Sequence, residues 1–302
     1  MRKELIFWFI LLQLIILCGC TKRDQCIDCE EPFDFRVIDY EPAWSPNGKW
    51  IAFYHGTPGE SGIYLISPDG ENIMRWHAGI PETPAWSPDS KWIAFSEGAQ
   101  IWKKKADGDS LTLLTFEGRN FFPSWSPDGK WIAFDGRITG EMKVYGIFKM
   151  DINGKEKILF GYNETDGAMR MPCWTKDSKI IHIRYSQQFY SGEIFSMDSN
   201  GENELRLTFD DAYDYYPRFS NNKIAFTSEQ RDKPHFRIWT MGADGSNLEQ
   251  LTGTQSYGCD WSPDGKYIVY TDARAENGRL WIMNADGSNK RQLTFEHHFT
   301  NF

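Results

Sequence analysis

"PSWSPDGKWIAF", Pro123 to Phe134, recurs almost letter for letter as "PAWSPNGKWIAF" from Pro42 and "PAWSPDSKWIAF" from Pro84. The anchoring aromatic continues along the chain as Trp44, Trp86, Trp125, Trp174, Phe219 and Trp261, at intervals of 42, 39, 49, 45 and 42 residues. A period in that range is the length of one four-stranded blade of a β-propeller.

Each unit predicts the same strands and turns. A short strand ends in the aromatic and runs into a tight turn, "SPNG" at Ser45, "SPDS" at Ser87 and "SPDG" at Ser126 and Ser262. Proline presets φ there, and Asp or Asn followed by Gly accepts the backbone that closes the turn. A second strand, "KWIAF" or a relative, is rich in the aromatic and β-branched residues that pleated surfaces favour. A third strand such as "IFKMD" or "LWIMN" precedes a second turn at Asp69-Gly70, Asp107-Gly108, Asn153-Gly154, Asn200-Gly201, Asp244-Gly245 and Asp286-Gly287. Asx-Gly between apolar runs is a strong hairpin signal. A fourth strand often ends in Leu-Thr, as at Leu114-Thr115, Leu207-Thr208, Leu251-Thr252 and Leu293-Thr294. With no helical periodicity in the repeats, the expectation is an all-β chain, a six-bladed β-propeller of four-stranded blades. The repeated motif is scaffold, and 13 Trp, 21 Phe and 13 Tyr supply the filler between blades. Ring closure is expected to involve either the C-terminal "FEHHFTNF" or Phe35 to Ile38.

On these residues, from "WSPDGKWIAF" to "LWIMNADGSNKRQLT", the chain resembles the TolB-type propellers, a repeat shared with the propeller domains of prolyl oligopeptidases. The likeness covers about Pro42 to Thr294. It implies the fold and an export-associated setting, and it does not imply one activity.

Residues 1–19 are expected to be a lipoprotein signal peptide. Arg2 and Lys3 precede an apolar run from Leu5 to Leu17, and "LCGC" resembles a bacterial lipobox, with Cys20 as the lipidated residue. Residues 20–41 then form a tether and 42–302 the propeller. The expected location is extracytoplasmic and lipid-anchored, in the periplasm or at the cell surface; Thr21 points to the outer membrane in a diderm cell. Losing Arg2, Lys3 and Glu4 takes the net charge from −9 to −10, and no basic stripe is visible, so nucleic acid is excluded as a partner. In an exported protein, Cys26 and Cys29 are read as a small disulfide loop. Cys173 and Cys259 are read as unpaired fillers, and His182, at the alanine position of "KWIAF", as a core residue. "GDSL" at Gly108 to Leu111 falls on a hairpin turn and carries no hydrolase reading.

Uniform turns on one side leave the variable connections on the other as the working face. "FDDAYDYYP", Phe209 to Pro217, supplies Asp211, Tyr213, Asp214, Tyr215 and Tyr216. Tyr185 and Tyr190 join them from a neighbouring loop, an acidic and aromatic patch suited to a protein or sugar surface. The residue before each anchoring aromatic is Ala43, Ala85, Ser124, Cys173, Arg218 or Asp260. Arg218 and Asp260 therefore read as an ion pair near the channel or, more sharply, as a ligand grip. His55, His77, His235 and His297 are placed in variable loops or at the C-terminus and are the candidates for a metal, without ligand spacing to support it. The function expected is a membrane-anchored, non-catalytic, monomeric binder of an envelope protein or cell-surface glycan, with no cofactor. The alternative is a metal-dependent propeller lyase or hydrolase acting on polysaccharide.

Overall fold

The computed structural model describes residues 38–57, 59–137, 145–161, 168–186, 191–210, 212–230, 233–273 and 278–299. Cys20, Cys26, Cys29, Tyr190 and Asp211, together with the side chain of His297, lie outside them. Among the described residues, twenty-four strands follow in chain order. The first sheet is β1 (Ile38–Trp44), β2 (Ile51–Gly56), β3 (Gly62–Ile66) and β4 (Ile73–Ala78). The second is β5 (Glu82–Trp86), β6 (Trp92–Glu97), β7 (Gln100–Lys105) and β8 (Thr112–Leu113), and the third β9 (Asn120–Trp125), β10 (Trp131–Arg137), β11 (Tyr145–Asp151) and β12 (Ile158–Gly161). The fourth is β13 (Met169–Trp174), β14 (Lys179–Ser186), β15 (Ser191–Asp198) and β16 (Leu205–Arg206). The fifth is β17 (Tyr213–Ser220), β18 (Lys223–Gln230), β19 (Lys233–Gly242) and β20 (Glu249–Gln250), and the sixth β21 (Ser256–Trp261), β22 (Tyr267–Asp272), β23 (Arg279–Asn284) and β24 (Arg291–Gln292). Each is an antiparallel meander, and one parallel bridge, Gly192 to Tyr213, ties the fourth to the fifth. The chain is an all-β propeller, and six meanders among the described residues are consistent with six blades.

The repeated letters have local jobs. In the first turn of the third sheet, Ser126 Oγ donates to Asp128 Oδ1 (2.6 Å) while accepting from Trp131 N–H (2.9 Å), and Asp128 Oδ1 also accepts from Lys130 N–H (3.1 Å). The anchoring indoles stitch sheets together: Nε1 of Trp86, Trp125 and Trp261 donates to the carbonyls of Ala43, Ala85 and Arg218 in the preceding sheet, at 3.0, 3.1 and 3.2 Å. The Leu-Thr ends have a double role. Leu114, Leu207, Leu251 and Leu293 are buried, and the threonine hydroxyls accept the third-strand N–H of Ile101, Ile194, Ile238 and Leu280.

The ring closes by packing, without a shared strand among the described residues. Trp44, Phe53 and Tyr64 of the first sheet share a core with Val269, Leu280 and Leu293 of the sixth, and Phe299 wedges into it. Phe299 stacks on His55 at 3.7 Å between ring centroids. Asp39 sits at the seam, wholly buried, accepting from Thr294 Oγ1 (2.5 Å) and Arg279 Nη1 (3.3 Å) and bonding His55 Nδ1 (2.6 Å). Of the two expected closing segments, the C-terminal one supplies the wedge.

One feature of the inner strands was not anticipated. Three residues before each anchoring aromatic the chain turns left-handed, at Glu41, Thr83, Phe122, Met171, Tyr216 and Gly258, with φ between 53° and 56°. A bulge interrupts the register at each of these places. For a residue with a side chain this costs about 1–2 kcal/mol, and a bulge re-aims the side chain it carries.

Candidate functional site at the channel mouth

The inner strands begin at the end of the sheets where the variable connections run, since Ile38 pairs with Gly56 at the close of β2. The bulges therefore aim side chains into the channel at that end. Glu41 and Glu82 of the first two sheets meet there, joined by Thr83, whose N–H donates to Glu41 Oε2 at 2.6 Å. Phe122 of the third sheet reaches Tyr216 of the fifth, with ring centroids 5.9 Å apart. Arg170 of the fourth sheet lies over Phe122 (5.5 Å) and Tyr145 (4.6 Å), and its Nε donates to Asp135 Oδ2 at 3.1 Å. Tyr40 of the first sheet and Tyr257 of the sixth lie near enough to Glu41 to feel its charge.

Burial sets the electrostatics. It pushes the Glu41 carboxyl well above the usual range, and the neighbouring Glu82 pushes it further; the Thr83 N–H and Arg218 pull back. Burial likewise raises Glu82, against the pull of Arg170. Burial works against the charge on Arg170, but Asp135, Tyr185 and Tyr145 outweigh it and hold the guanidinium protonated. The hydroxyls of Tyr40, Tyr185, Tyr216 and Tyr257 are all raised by burial and by acidic neighbours, so they stay hydrogen-bond donors. This end of the channel thus gathers two buried carboxyls, an arginine already partnered by Asp135, and several buried phenols.

The expected patch is only partly at the surface. Residues 213–220 form a strand rather than a loop, because the sheet continues past the variable connection and Tyr213, Asp214 and Tyr215 all pair with β18. Tyr185 and Tyr215 are brought together, with centroids 6.3 Å apart, but Tyr215 is buried against Phe236 at 5.9 Å. Asp214 is also buried, and burial, opposed by the Ser228 and Thr208 hydroxyls, pushes its carboxyl up to about 8. Tyr213 and Tyr216 stay half-buried. Arg218 and Asp260 are neighbours in charge but bond elsewhere among the described residues. Arg218 Nη1 donates to Pro217 O (3.1 Å), and Asp260 Oδ2 accepts from Trp44 N–H (2.6 Å). Burial raises Asp260 to about 6 despite Arg218 and the N–H donors of Trp44 and Trp261. Ser124 does for Trp174 N–H (3.1 Å) what Asp260 does for Trp44, so this position links inner strands.

Three of the four candidate histidines lie in strands rather than loops. His55 ends up fully buried in β2, which runs three residues past Phe53, and its Nε2 bonds Thr57 Oγ1 at 2.8 Å. His77 is in β4, paired with Glu97 at 3.1 Å, and His235 is an exposed residue of β19. Among the described residues the group with metal-holding geometry is Glu193, Asp210 and Asp214, and it contains no histidine. His182 is fully buried, with Nε2 2.9 Å from Glu204 Oε1, and Cys173 and Cys259 are free and buried. A groove of about 520 Å³ between the first and sixth sheets, lined by Pro46, Asn47, Asp264 and Tyr267 among others, belongs to the uniform-turn side.

Glu41, Glu82, Arg170, Tyr40 and Tyr257 were missed from sequence. Their signal was available: they sit three and four places before the anchoring aromatic and vary in chemistry from unit to unit, while the next two places are mostly Pro and a small residue.

Comparison with known proteins decides the family. The family model of the TolB beta propeller domain matches residues 30–168 and 115–301. This chain belongs to that family. Among solved structures it is similar to a putative TolB from Agrobacterium tumefaciens, at 23% identity and a TM-score of 0.65, covering 82% of this chain and 90% of that one. TolB from Acinetobacter baumannii is likewise 23% identical with a TM-score of 0.68, covering 88% of this chain; the match spans 65% of the Acinetobacter chain. An oligogalacturonate lyase from Vibrio parahaemolyticus is 13% identical with a TM-score of 0.58, covering 87% of this chain and 80% of the lyase. At these identities the structures share the fold alone.

Proposed function

We propose that this TolB-family propeller is a non-catalytic, extracytoplasmic binding protein that takes an envelope protein at the channel mouth and the loops around it. The observation that carries the reading is the Glu41–Glu82 pair, two buried carboxyls beside inner-strand bulges, where burial and their mutual proximity raise the cost of charging more than Arg218 and Arg170 relieve it. A basic side chain of a partner, entering between Tyr40, Tyr216 and Tyr257, would draw both acids into their charged forms. Tyr and Arg around an enclosed centre are the residue types on which interface energy concentrates. Phe116 and Phe209, about three-quarters exposed at the start of inter-blade connections, offer apolar contact on the same side. Residues 1–19 as a lipoprotein signal, Cys20 as the lipid anchor and a tether that ends before β1 at Ile38, where the propeller strands begin, complete the proposal with an envelope location.

The test is crosslinked co-purification from cells of the wild type, Glu82→Gln and Tyr216→Ala. A discrete protein adduct that falls about tenfold in either variant, the yield expected for loss of about 1.4 kcal/mol of binding, is predicted. A glycan adduct, or equal yields from all three, would contradict it.

A further inference from the structure

At four of the six junctions between sheets the repeat brings three equivalent positions together. They are the residue before the buried apolar residue of the third strand, the threonine that accepts that residue's N–H, and the residue five before the next anchoring aromatic. The second junction has Gln100, Thr115 and Asn120, and its amides are satisfied: Gln100 Oε1 accepts from Thr115 Oγ1 at 2.7 Å and from Asn120 Nδ2 at 3.2 Å. The fifth has Arg237, Thr252 and Ser256. The sixth has Arg279, Thr294 and Asp39, a buried acid held by a guanidinium at 3.3 Å and a hydroxyl at 2.5 Å.

The fourth junction breaks this pattern. Its residues are Glu193, Thr208 and Asp214, so the place that Arg279 fills at the sixth is taken by a second acid. Asp210 adds a third, and one oxygen of each of the three carboxylates lies within 4.8 Å of the others. Asp214 is 1% exposed, and the Ser228 and Thr208 hydroxyls stand near it without giving either carboxylate oxygen a hydrogen bond of good geometry. Thr208 directs its proton to Glu193 Oε2 at 3.0 Å, and Arg206 Nη2 occupies Glu193 Oε1 at 2.8 Å. A buried carboxylate without a well-formed hydrogen bond is costly, and at the sixth junction, the other one with an acid at this position, a guanidinium stands beside it.

We propose that Glu193, Asp210 and Asp214 bind one divalent cation, Ca²⁺ in preference to Mg²⁺, which takes the place that the Arg279 guanidinium fills at the sixth junction. The donors are hard oxygens, and Asp210 is exposed, so an ion can enter from solvent. Ca²⁺ tolerates irregular mixtures of carboxylate and water ligands, whereas Mg²⁺ sheds its water reluctantly and suits a buried Asp214 less well. The ion would clamp the third strand of the fourth sheet to the inner strand of the fifth. This inference does not depend on the reading of the channel mouth.

The test titrates the full-length protein, stripped with chelator, with CaCl₂ and separately with MgCl₂, followed by calorimetry and by thermal melting. One Ca²⁺ per chain is expected, with a Kd on the order of 10⁻⁴–10⁻³ M as in other extracellular sites. At ten times Kd the melting temperature rises by about 2–5 °C. Asp210→Asn, an exposed change that leaves the core intact, abolishes both effects, as does Asp214→Asn. Glu193→Arg, which copies the sixth junction, loses the response while melting in chelator no lower than the stripped wild type. Absence of saturable binding by either ion at roughly ten times that concentration range, or a Ca²⁺ response unchanged in Asp210→Asn, would overturn the proposal.

Discussion

Burial makes the charged form of Glu41 costly in the native state, and this has a consequence that can be measured. Its carboxyl is raised by burial and by Glu82, so above its ordinary value of 4.5 the unfolded chain releases a proton that the folded chain retains. Stability from this group is therefore complete below pH 4.5 and is lost as pH rises toward the native value. Urea denaturation between pH 5 and pH 8 should show the wild type losing at least about 1 kcal/mol more than Glu41→Gln, the equivalent of one pKa unit. Parallel profiles would contradict the assignment. The same sign governs binding: a basic partner group prefers the charged carboxyls, so the crosslinked yield should rise from pH 6 to pH 8 in the wild type and rise less in Glu41→Gln, where Glu82 alone titrates. None of this was legible from residue type alone. Glu41 and Glu82 look like ordinary surface acids, and they become site residues only because a bulge that no turn motif announces aims them at the axis.

The turns, by contrast, were legible, because their chemistry is local. Asx-Gly marks each second hairpin, and the glycines there have positive φ, as at Gly108 (+97°) and Gly154 (+76°). What the sequence does not show is that the two are not equivalent. A Cβ on Gly108 meets nothing within 4 Å, whereas one on Gly154 would lie 2.4 Å from the carbonyl oxygen of Leu114 in the neighbouring sheet. Gly108→Ala should cost only the left-handed penalty, about 1–2 kcal/mol, and Gly154→Ala clearly more. Denaturation midpoints compare them, and equal losses would mean that this turn does not dock against the preceding sheet. The connections followed the opposite course. Strand pairing extends beyond the motif letters, so His55 and residues 213–216 are strand where loop was expected, and Asp214 and Tyr215 go inward with the pleat.

For the whole molecule, the repeat period gave the architecture at once, since four-stranded units stacked side by side are what such a period builds. Closure was less accessible, because it depends on residues outside the repeat. Phe299 fills the seam between first and sixth sheets against His55 and Tyr64, and Asp39 holds it from the other side. Phe299→Ala should cost about 3–5 kcal/mol, the range for removing a buried aromatic, seen as a lower urea midpoint with an unchanged slope. A loss below about 1 kcal/mol would mean that the ring closes without the wedge. The central claim, that the channel mouth is where a partner protein binds, is tested most directly by site-specific photocrosslinking in intact cells. A photoreactive residue replaces Tyr257 at the mouth or Lys130 in an exposed turn at the other end of the sheets. The account predicts one discrete protein adduct from position 257 and none from position 130; adducts from position 130 alone, or from both alike, would contradict it.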